Sequence, residues 1–306
     1  AHSWGHGFSL ESGTGNRFQN CIIEDIGWNA EFTCSIYTHG KNTTIRRCTF
    51  GPAGRFHIRF RNKTKILYND LYDCMNVGQD AGSIEATSGG AYATVLDVND
   101  SEIAYNYIHD SNTLPSDKYN KQFVVAIYLE DVANYTAHHN VIWNFKTDVY
   151  HDGAFVYLGP RRTTIYDVNY FNNTAWNCDK SICIWNRDNM GGIKTTRFVN
   201  NILDQRMKPD DSDLLQSIEF THNIFASNAE KLFEKSQEAR FYLKENSPAI
   251  DAGKEIGEIT DNFVDNAPDA GAYEYDKELW TAGSTMDIPE FIEKHPVGSD
   301  DQKMTN

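Results

Sequence analysis

The chain has 306 residues and carries 28 Lys and Arg against 43 Asp and Glu, a formal net charge of −15. An acidic excess of this size excludes proteins that hold nucleic acid by neutralising its phosphates. No apolar run approaches the roughly 20 residues needed to span a bilayer, so no membrane span is predicted. With 40% hydrophobic residues the chain can bury a core, which excludes wholesale disorder.

The amino end, AHSWGHGFSL, has neither an initiator Met nor a signal-peptide pattern, which indicates a processed or trimmed start. The composition favours strands and corners, because the chain has 24 Ile against 13 Leu and also 28 Asn. The Cys residues show no C-x-x-C pair and no zinc spacing, so we expect buried free thiols and no metal, with a disulfide between Cys21 and Cys48 as the alternative. They are Cys21, Cys34, Cys48, Cys74, Cys178 and Cys183.

A short phrase then repeats eight times along the chain: an apolar residue, two or three mixed residues, and Asn or Cys followed by β-forming residues. RFQNCII, KILYNDL, TAHHNVI and EFTHNIF are examples in chain order. The markers recur after 21 to 37 residues, as expected for a solenoid coil with loops inserted at its corners. The marker positions are Cys21, Cys48, Asn69, Asn106, Asn140, Asn173, Asn201 and Asn223.

Coils of this length predict an all-β parallel β-helix, in which each coil buries its inner face only by stacking on its neighbours. We expect the Asn markers to hydrogen-bond along the stack. The coils are predicted to occupy residues 1–226, and residues 227–306 to form terminal strands, a cap over the open end and an acidic tail of the same domain. Because the first predicted coil already includes Phe8, we expect that an N-terminal cap is missing or is supplied by another segment or a partner.

The phrases NKTKILYNDLYDC, DAGSIEA, AIYLEDVANYTAHHNVIWN and FNNTAWN resemble the right-handed parallel β-helix proteins of bacterial carbohydrate metabolism. SPAIDAG followed by PDAGAYEY resembles the closing strands of that group, so the likeness covers about residues 8 to 275. The group includes glycoside hydrolases, polysaccharide lyases and members with no known reaction. The resemblance implies a secreted or periplasmic protein that acts on a polysaccharide or oligosaccharide, with no cofactor.

Period-two alternation separates inward from outward residues on the second strand of each coil. The predicted inward column is Ile36, Ile58, Ile84, Ile127, Val156 and Ile184. The adjacent outward column is Tyr37, Arg59, Glu85, Tyr128, Tyr157 and Trp185. Two residues further along, the outward column is His39, Arg61, Thr87, Glu130, Gly159 and Arg187. One face therefore gathers acids, guanidinium groups and aromatic rings, where a merely solvated face would carry Lys, Thr, Ser and Asn.

The aromatic column predicts either a platform for the apolar face of a sugar or a ring ladder that stabilises the sheet. Tyr128, Tyr157 and Trp185 would form this platform in successive coils. The predicted substrate-binding residues are Tyr37, His39, Arg59, Arg61, Tyr128, Tyr157, Arg161, Trp185 and Arg187.

Glycoside hydrolysis requires two carboxyl groups, about 5 Å apart for retention and about 6.5 to 9.5 Å for inversion. Glu85 and Glu130 lie in adjacent coils, and Asp80, Asp131 and Asp152 stand at the ends of the same strands. Insertions at residues 111–122 and 145–151 would wall a cleft there. These five acids are the predicted catalytic candidates, although Asp80 and Asp152 fit equally well as carboxylates that accept bonds from turn N–H groups.

Ile127-Tyr128-Leu129-Glu130 is similar to a segment I-W-L that precedes a catalytic carboxylate in some β-helix xylosidases, which implies this role for Glu130. Where those enzymes carry the partner acid, this chain has Tyr157, so the partner would be Glu85, Asp80 or Asp152. DAGSIEA also resembles a D-G-G-A-I-Y phrase of related hydrolases, in which Asp80 matches the acid.

A glycoside hydrolase is the leading prediction, and two alternatives stay open. A polysaccharide lyase would need a cation for the uronate and a base, which Arg59 and Arg61 with His39, or Lys146 with His151, would supply. A solenoid that only binds glycan or serves as structure is the other alternative. Burial of Glu130 in an ion pair with Arg61 or Arg161 would count against its catalytic role.

Overall fold

A computed structural model describes residue 3 and residues 5–29, 32–78, 80–88, 94–111, 123–147, 152–186, 189–235 and 240–287. The chain forms a right-handed parallel β-helix, and each full coil contributes one strand to each of three long parallel sheets. The predicted fold class is confirmed. None of the helices in these ranges is long and apolar enough to cross a membrane.

The first sheet contains β1 (Phe8–Leu10), β4 (Cys34–Thr38), β7 (Phe56–Phe60), β10 (Ala81–Thr87), β13 (Val124–Glu130), β16 (Gly153–Gly159) and β20 (Lys180–Ile184). The second contains β2 (Arg17–Gln19), β5 (Thr43–Arg46), β8 (Thr64–Leu67), β11 (Leu96–Ala104), β14 (Val132–His138), β18 (Val168–Phe171), β22 (Thr196–Val199) and β24 (Ile218–Thr221).

The third sheet contains β3 (Ile22–Ile23), β6 (Thr49–Phe50), β9 (Asp70–Tyr72), β12 (Tyr107–Ser111), β15 (Val141–Phe145), β19 (Thr174–Trp176), β23 (Ile202–Asp204) and β25 (Ile224–Ala226). Two small sheets pair β17 (Thr164–Ile165) with β21 (Gly192–Ile193) and β26 (Phe233–Lys235) with β27 (Arg240–Leu243). Short 3-10 helices cover Asp213–Ser217 and Ala229–Lys231.

The core is a set of apolar columns inside the coils. In the first sheet Ile58 pairs with both Ile36 and Ile84, and Ile127 pairs with both Ile84 and Val156, as the predicted inward column requires. All five side chains are fully buried. This register fixes which residues point outward on the same strands, and so positions the candidate site.

The Asn markers form a hydrogen-bonded ladder at the corner between the second and third sheets. Asn140 Oδ1 accepts from the backbone N of Asn106 at 3.1 Å and from its Nδ2 at 2.9 Å. Asn140 Nδ2 in turn donates to Asn173 Oδ1 at 3.0 Å and to the Ile103 carbonyl at 2.8 Å. The same pattern links Asn69 through to Asn223, so the predicted stack of markers is confirmed.

The structure has the predicted free thiols and not the alternative disulfide between Cys21 and Cys48. All six Cys residues are free thiols, and every one except Cys21 is buried. Cys21 and Cys48 occupy the marker position in the first two coils, where the backbone N of Thr49 donates to the Cys21 carbonyl at 2.8 Å.

The residues after the last coil cover the flank of the stack. Phe233 of β26 packs on Trp176, and Phe241 of β27 packs on Trp143, so this hairpin shields the outer face of the third sheet. Phe225 of the last coil is 53% exposed. The third sheet carries large apolar side chains on its outer face, and the hairpin covers them.

Residues 247–286, here called the strap, run back along the corner next to the Asn ladder. The Lys254 backbone N donates to Asn200 Oδ1, and the Thr285 backbone N donates to Asn20 Oδ1, each at 2.8 Å. Between these points Trp280 stacks on Tyr273 with ring centroids 4.7 Å apart. The strap therefore contacts both early and late coils.

Candidate functional site

The outer face of the first sheet bears the residues predicted to form the site. Two of its strands have a local irregularity, in which two consecutive residues face the core: Ala126 and Ile127 in β13, and Phe155 and Val156 in β16. Val125 and Tyr128 are consequently neighbours on the outer face. The sequence-based alternation missed this irregularity, which places consecutive outward residues three positions apart instead of two.

Glu85 is a buried carboxyl group at the centre of this face. Its side chain is 5% exposed, and Oε1 lies 3.2 Å from Arg59 Nη2. Burial raises its pKa to about 7, although Arg59 and Arg55 oppose the rise. Glu130 and Asp80 add to the rise, so the three carboxyl groups interact. Glu85 can therefore hold a proton near neutral pH.

Glu130 is also buried, with 5% exposure, and its Oε1 lies 3.2 Å from Arg161 Nη1. Its pKa is raised by burial, against the opposing charge of Arg161. Burial of Glu130 in an ion pair with Arg161 is the predicted finding that counts against a catalytic role for this residue. We therefore assign Glu130 a supporting position, in which it holds Arg161 and the neighbouring tyrosines.

Two tyrosine hydroxyls surround Glu130. Tyr157 lies 3.3 Å and Tyr128 3.4 Å from Glu130 Oε2, and the two rings stack with centroids 4.3 Å apart. The Tyr128 hydroxyl is also 3.4 Å from Oδ1 of Asp80, which is exposed. The oxygens of Asp80 and Glu130 are thus no further apart than twice that distance.

The tyrosine pair does not form the open platform that was one of the two predictions. Tyr128 is 7% exposed and Tyr157 is 3% exposed, and Phe123 packs against both rings. This is the sheet-stabilising ladder that was the other prediction. An aromatic ring that a sugar can reach must be sought elsewhere on the face.

Trp185 is such a ring, with 45% exposure, but its column differs from the predicted one. Tyr157 pairs with Cys183 and Leu158 with Ile184, which shifts the last strand by two residues. The predicted alignment of Ile184 with Val156 and of Trp185 with Tyr157 is therefore wrong. Both Ile182 and Ile184 are apolar and two residues apart, so alternation alone does not choose between them. Arg187 lies outside the described residues, as does most of the two predicted cleft walls.

Two of the predicted acids are tied to other groups. Asp131 is fully buried, and its Oδ1 accepts from the backbone N of Arg162 at 3.0 Å and of Thr163 at 3.1 Å. Asp152 Oδ1 lies 2.7 Å from Lys180 Nζ, which also contacts Asp210 at 2.8 Å. Asp131 thus serves a turn, and Asp152 belongs to a separate ion cluster.

The early coils place the remaining predicted binding residues beside the acids. Tyr37 is half-buried, and its hydroxyl contacts His39 Nε2. Arg61 Nη2 donates to the Ser88 carbonyl at 3.4 Å. Arg59 lies over the Tyr37 ring, with its guanidinium carbon 5.5 Å from the ring centroid.

Sequence reasoning missed two residues at this end of the face. The guanidinium carbon of Arg55 lies 4.7 Å from the centroid of Phe32, a ring that is 63% exposed. The charge of Arg55 also lowers the pKa of Glu85. Both residues precede their strands, where the alternation pattern gives no signal.

A separate cavity of about 260 Å³ lies between the strap and the corner of the coils. Its lining includes Tyr68 and Tyr105, whose rings stack, and Trp280, which packs edge to face on both. None of the predicted site residues lines it, so we place the candidate site on the first sheet. Within the described ranges no cluster of three or more His, Cys, Asp and Glu could hold a metal ion.

In comparisons with known proteins, no family model, no curated protein and no solved structure matches the chain.

Proposed function

We propose that the protein is a secreted or periplasmic carbohydrate-active enzyme, and that it hydrolyses glycosidic bonds in a polysaccharide or oligosaccharide. One observation carries this proposal: a buried carboxyl group with a pKa near 7, Glu85, shares a face with the exposed carboxyl of Asp80. Glycoside hydrolysis needs one protonated acid and one ionised carboxylate at such a site. Glu85 is the proposed acid and Asp80 the proposed base or nucleophile.

Glu130 takes a positioning role in this proposal. It fixes Arg161 by an ion pair and contacts the hydroxyls of Tyr128 and Tyr157. The Tyr128 hydroxyl in turn contacts Asp80, so Glu130 orients the carboxylate through a tyrosine. The buried thiols are compatible with an oxidising compartment, because burial protects them from oxidants.

The test is a screen of plant and algal polysaccharides with two readouts. A hydrolase releases reducing ends, whereas a lyase also leaves an unsaturated uronide that absorbs in the near ultraviolet. We expect reducing ends without that absorbance. Glu85→Gln and Asp80→Asn should each lower turnover by about 10² or more, because each removes proton transfer or negative charge.

Asp152→Asn is the matched control, because Asp152 occupies the same row as Asp80 two coils later but is bound to Lys180. It should keep turnover within a few fold of wild type. Ultraviolet absorbance without hydrolysis would replace the proposal with a lyase.

A non-catalytic glycan-binding protein is the second candidate function. The exposed ring of Trp185 beside Arg161 favours it, since an aromatic ring can hold a glycan without any acid to cleave it. Binding of a glycan without any release of reducing ends would support this candidate and exclude the hydrolase.

A further inference from the structure

Two aromatic side chains on the first-sheet face are open to solvent and backed by arginine. Phe32 is 63% exposed, and the guanidinium carbons of Arg55 and Arg59 lie 4.7 and 5.3 Å from its ring centroid. Trp185 is 45% exposed, and the guanidinium carbon of Arg161 lies 4.9 Å from its ring. Isolated exposed aromatic residues are common and need no explanation, but these two rings are held in place by cation–π contacts.

Two of these arginines, Arg59 and Arg161, also each bind one of the central acids. Arg59 Nη2 lies 3.2 Å from Glu85 Oε1, and Arg161 Nη1 lies 3.2 Å from Glu130 Oε1. The order ring, guanidinium, carboxyl group therefore occurs twice. Phe32 is the ring on the early-coil side of the acids, and Trp185 is the ring on the late-coil side.

The register gives the distance between the two ends. Arg59 lies in β7, and Trp185 follows β20 directly. The strands β7, β10, β13, β16 and β20 are consecutive in the first sheet, so four strand spacings, about 19 Å, separate the two ends. A monosaccharide or disaccharide does not reach from one ring to the other.

We propose that Phe32 and Trp185 are the end platforms of an extended site that binds a linear oligosaccharide along the helix axis. The apolar face of a sugar stacks on the free face of each ring, while the arginine N–H groups beside the ring donate to its hydroxyls. The ligand class rests on the proposed function. We infer in addition that this site recognises the length of the ligand and not a single sugar unit.

The test measures binding, so that it does not depend on turnover. Glu85→Gln protein is titrated calorimetrically with cello-, xylo- and galacturono-oligosaccharides of two to six residues. Affinity should rise steeply with length in at least one series. Phe32→Ala and Trp185→Ala, each added to this protein, should weaken binding of the longest member at least tenfold and leave binding of the disaccharide unchanged.

Phe225→Ala is the control, because Phe225 is 53% exposed but lies in the third sheet, and it should bind all lengths like the parent protein. Unchanged length dependence in both platform variants overturns the inference, and so does an equal loss at every length. If wild type also releases reducing ends, the proposed function survives that result. No binding of any oligosaccharide, with no hydrolysis by wild type, overturns both proposals.

Discussion

Glu85 Oε1 lies 3.2 Å from Arg59 Nη2, whereas the buried Oε2 of Glu85 has no hydrogen-bond partner among the described residues. For a carboxylate with one unpaired buried oxygen, the free-energy cost of burial exceeds the stabilisation that one ion pair provides. This imbalance explains why the pKa of Glu85 is raised to about 7 even though Arg59 and Arg55 lie close to it.

The raised pKa of Glu85 predicts how stability depends on pH. The pKa is higher in the folded chain than its ordinary value of 4.5, so folding favours the protonated form. This contribution is complete below pH 4.5 and is lost as pH rises through about 7. Glu85→Gln has no proton to lose, so its free energy of unfolding relative to wild type should increase by up to about 3 kcal/mol between pH 4.5 and 8.

Urea unfolding of both proteins at several pH values measures this difference. A difference that stays constant across the range would contradict the raised pKa of Glu85.

The Asn ladder predicts a large effect from one interior amide. Asn140→Ala removes the acceptor for two Asn106 N–H groups and leaves them buried without partners. We expect the free energy of unfolding to fall by about 3 kcal/mol or more. Asn169→Ala is the control, since Asn169 is only half-buried and its bonds to Thr136 and Arg197 lie near the surface, and it should cost less than about 1 kcal/mol.

Denaturant unfolding of both Asn variants decides the outcome. Equal costs for Asn140→Ala and Asn169→Ala would mean that the ladder adds no special stability.

Gly159 makes room for the ring of Tyr157. A Cβ at position 159 would lie 2.5 Å from Tyr157 Cε1, so the ring in Gly159→Ala must move away from Glu130. We expect a loss of about 1 to 3 kcal/mol in stability. Adding Tyr157→Leu removes the ring atoms that clash, so the two changes should be strongly non-additive in a double-mutant cycle. Additive losses would show that the clash is relieved elsewhere.

Asp131 is predicted to act through the turn that follows β16. Asp131→Ala leaves the N–H groups of Arg162 and Thr163 without their acceptor, and should lower the free energy of unfolding by about 2 to 4 kcal/mol. Asp131→Asn keeps the Oδ1 acceptor and should cost less than half as much. Thermal unfolding compares the two variants, and equal losses would show that charge, not the acceptor, is what the turn requires.

Much of the fold follows from the sequence because one physical requirement recurs in each coil. The inward column from Ile36 to Val156 and the Asn markers were predicted correctly, since each coil must bury the same positions. The last coil was misaligned because Ile182 and Ile184 both fit the inward pattern. Alternation specifies a face, but it does not specify which of two equivalent residues meets a given partner.

The candidate site was harder to predict than the fold. The sequence placed Glu85, Glu130 and Asp80 on one face, but it did not show that Tyr128 and Tyr157 are buried. Phe123, which packs on both rings, precedes its strand. Phe32 and Arg55 were not predicted for the same reason. Residues outside the strands make contacts that give no periodic signal in the sequence.

The strap changes how the solenoid should come apart. In a stack whose coils contact only their neighbours, the terminal coils fray independently and unfolding proceeds in stages. Here one segment is bonded to Asn20 in the first coil and to Asn200 in the seventh. If either end of the stack opens, the strap loses its bonds there, and its contacts with the other end are weakened as well. The coils between these two residues should unfold as one cooperative unit, with amide exchange at both ends governed by the same global opening.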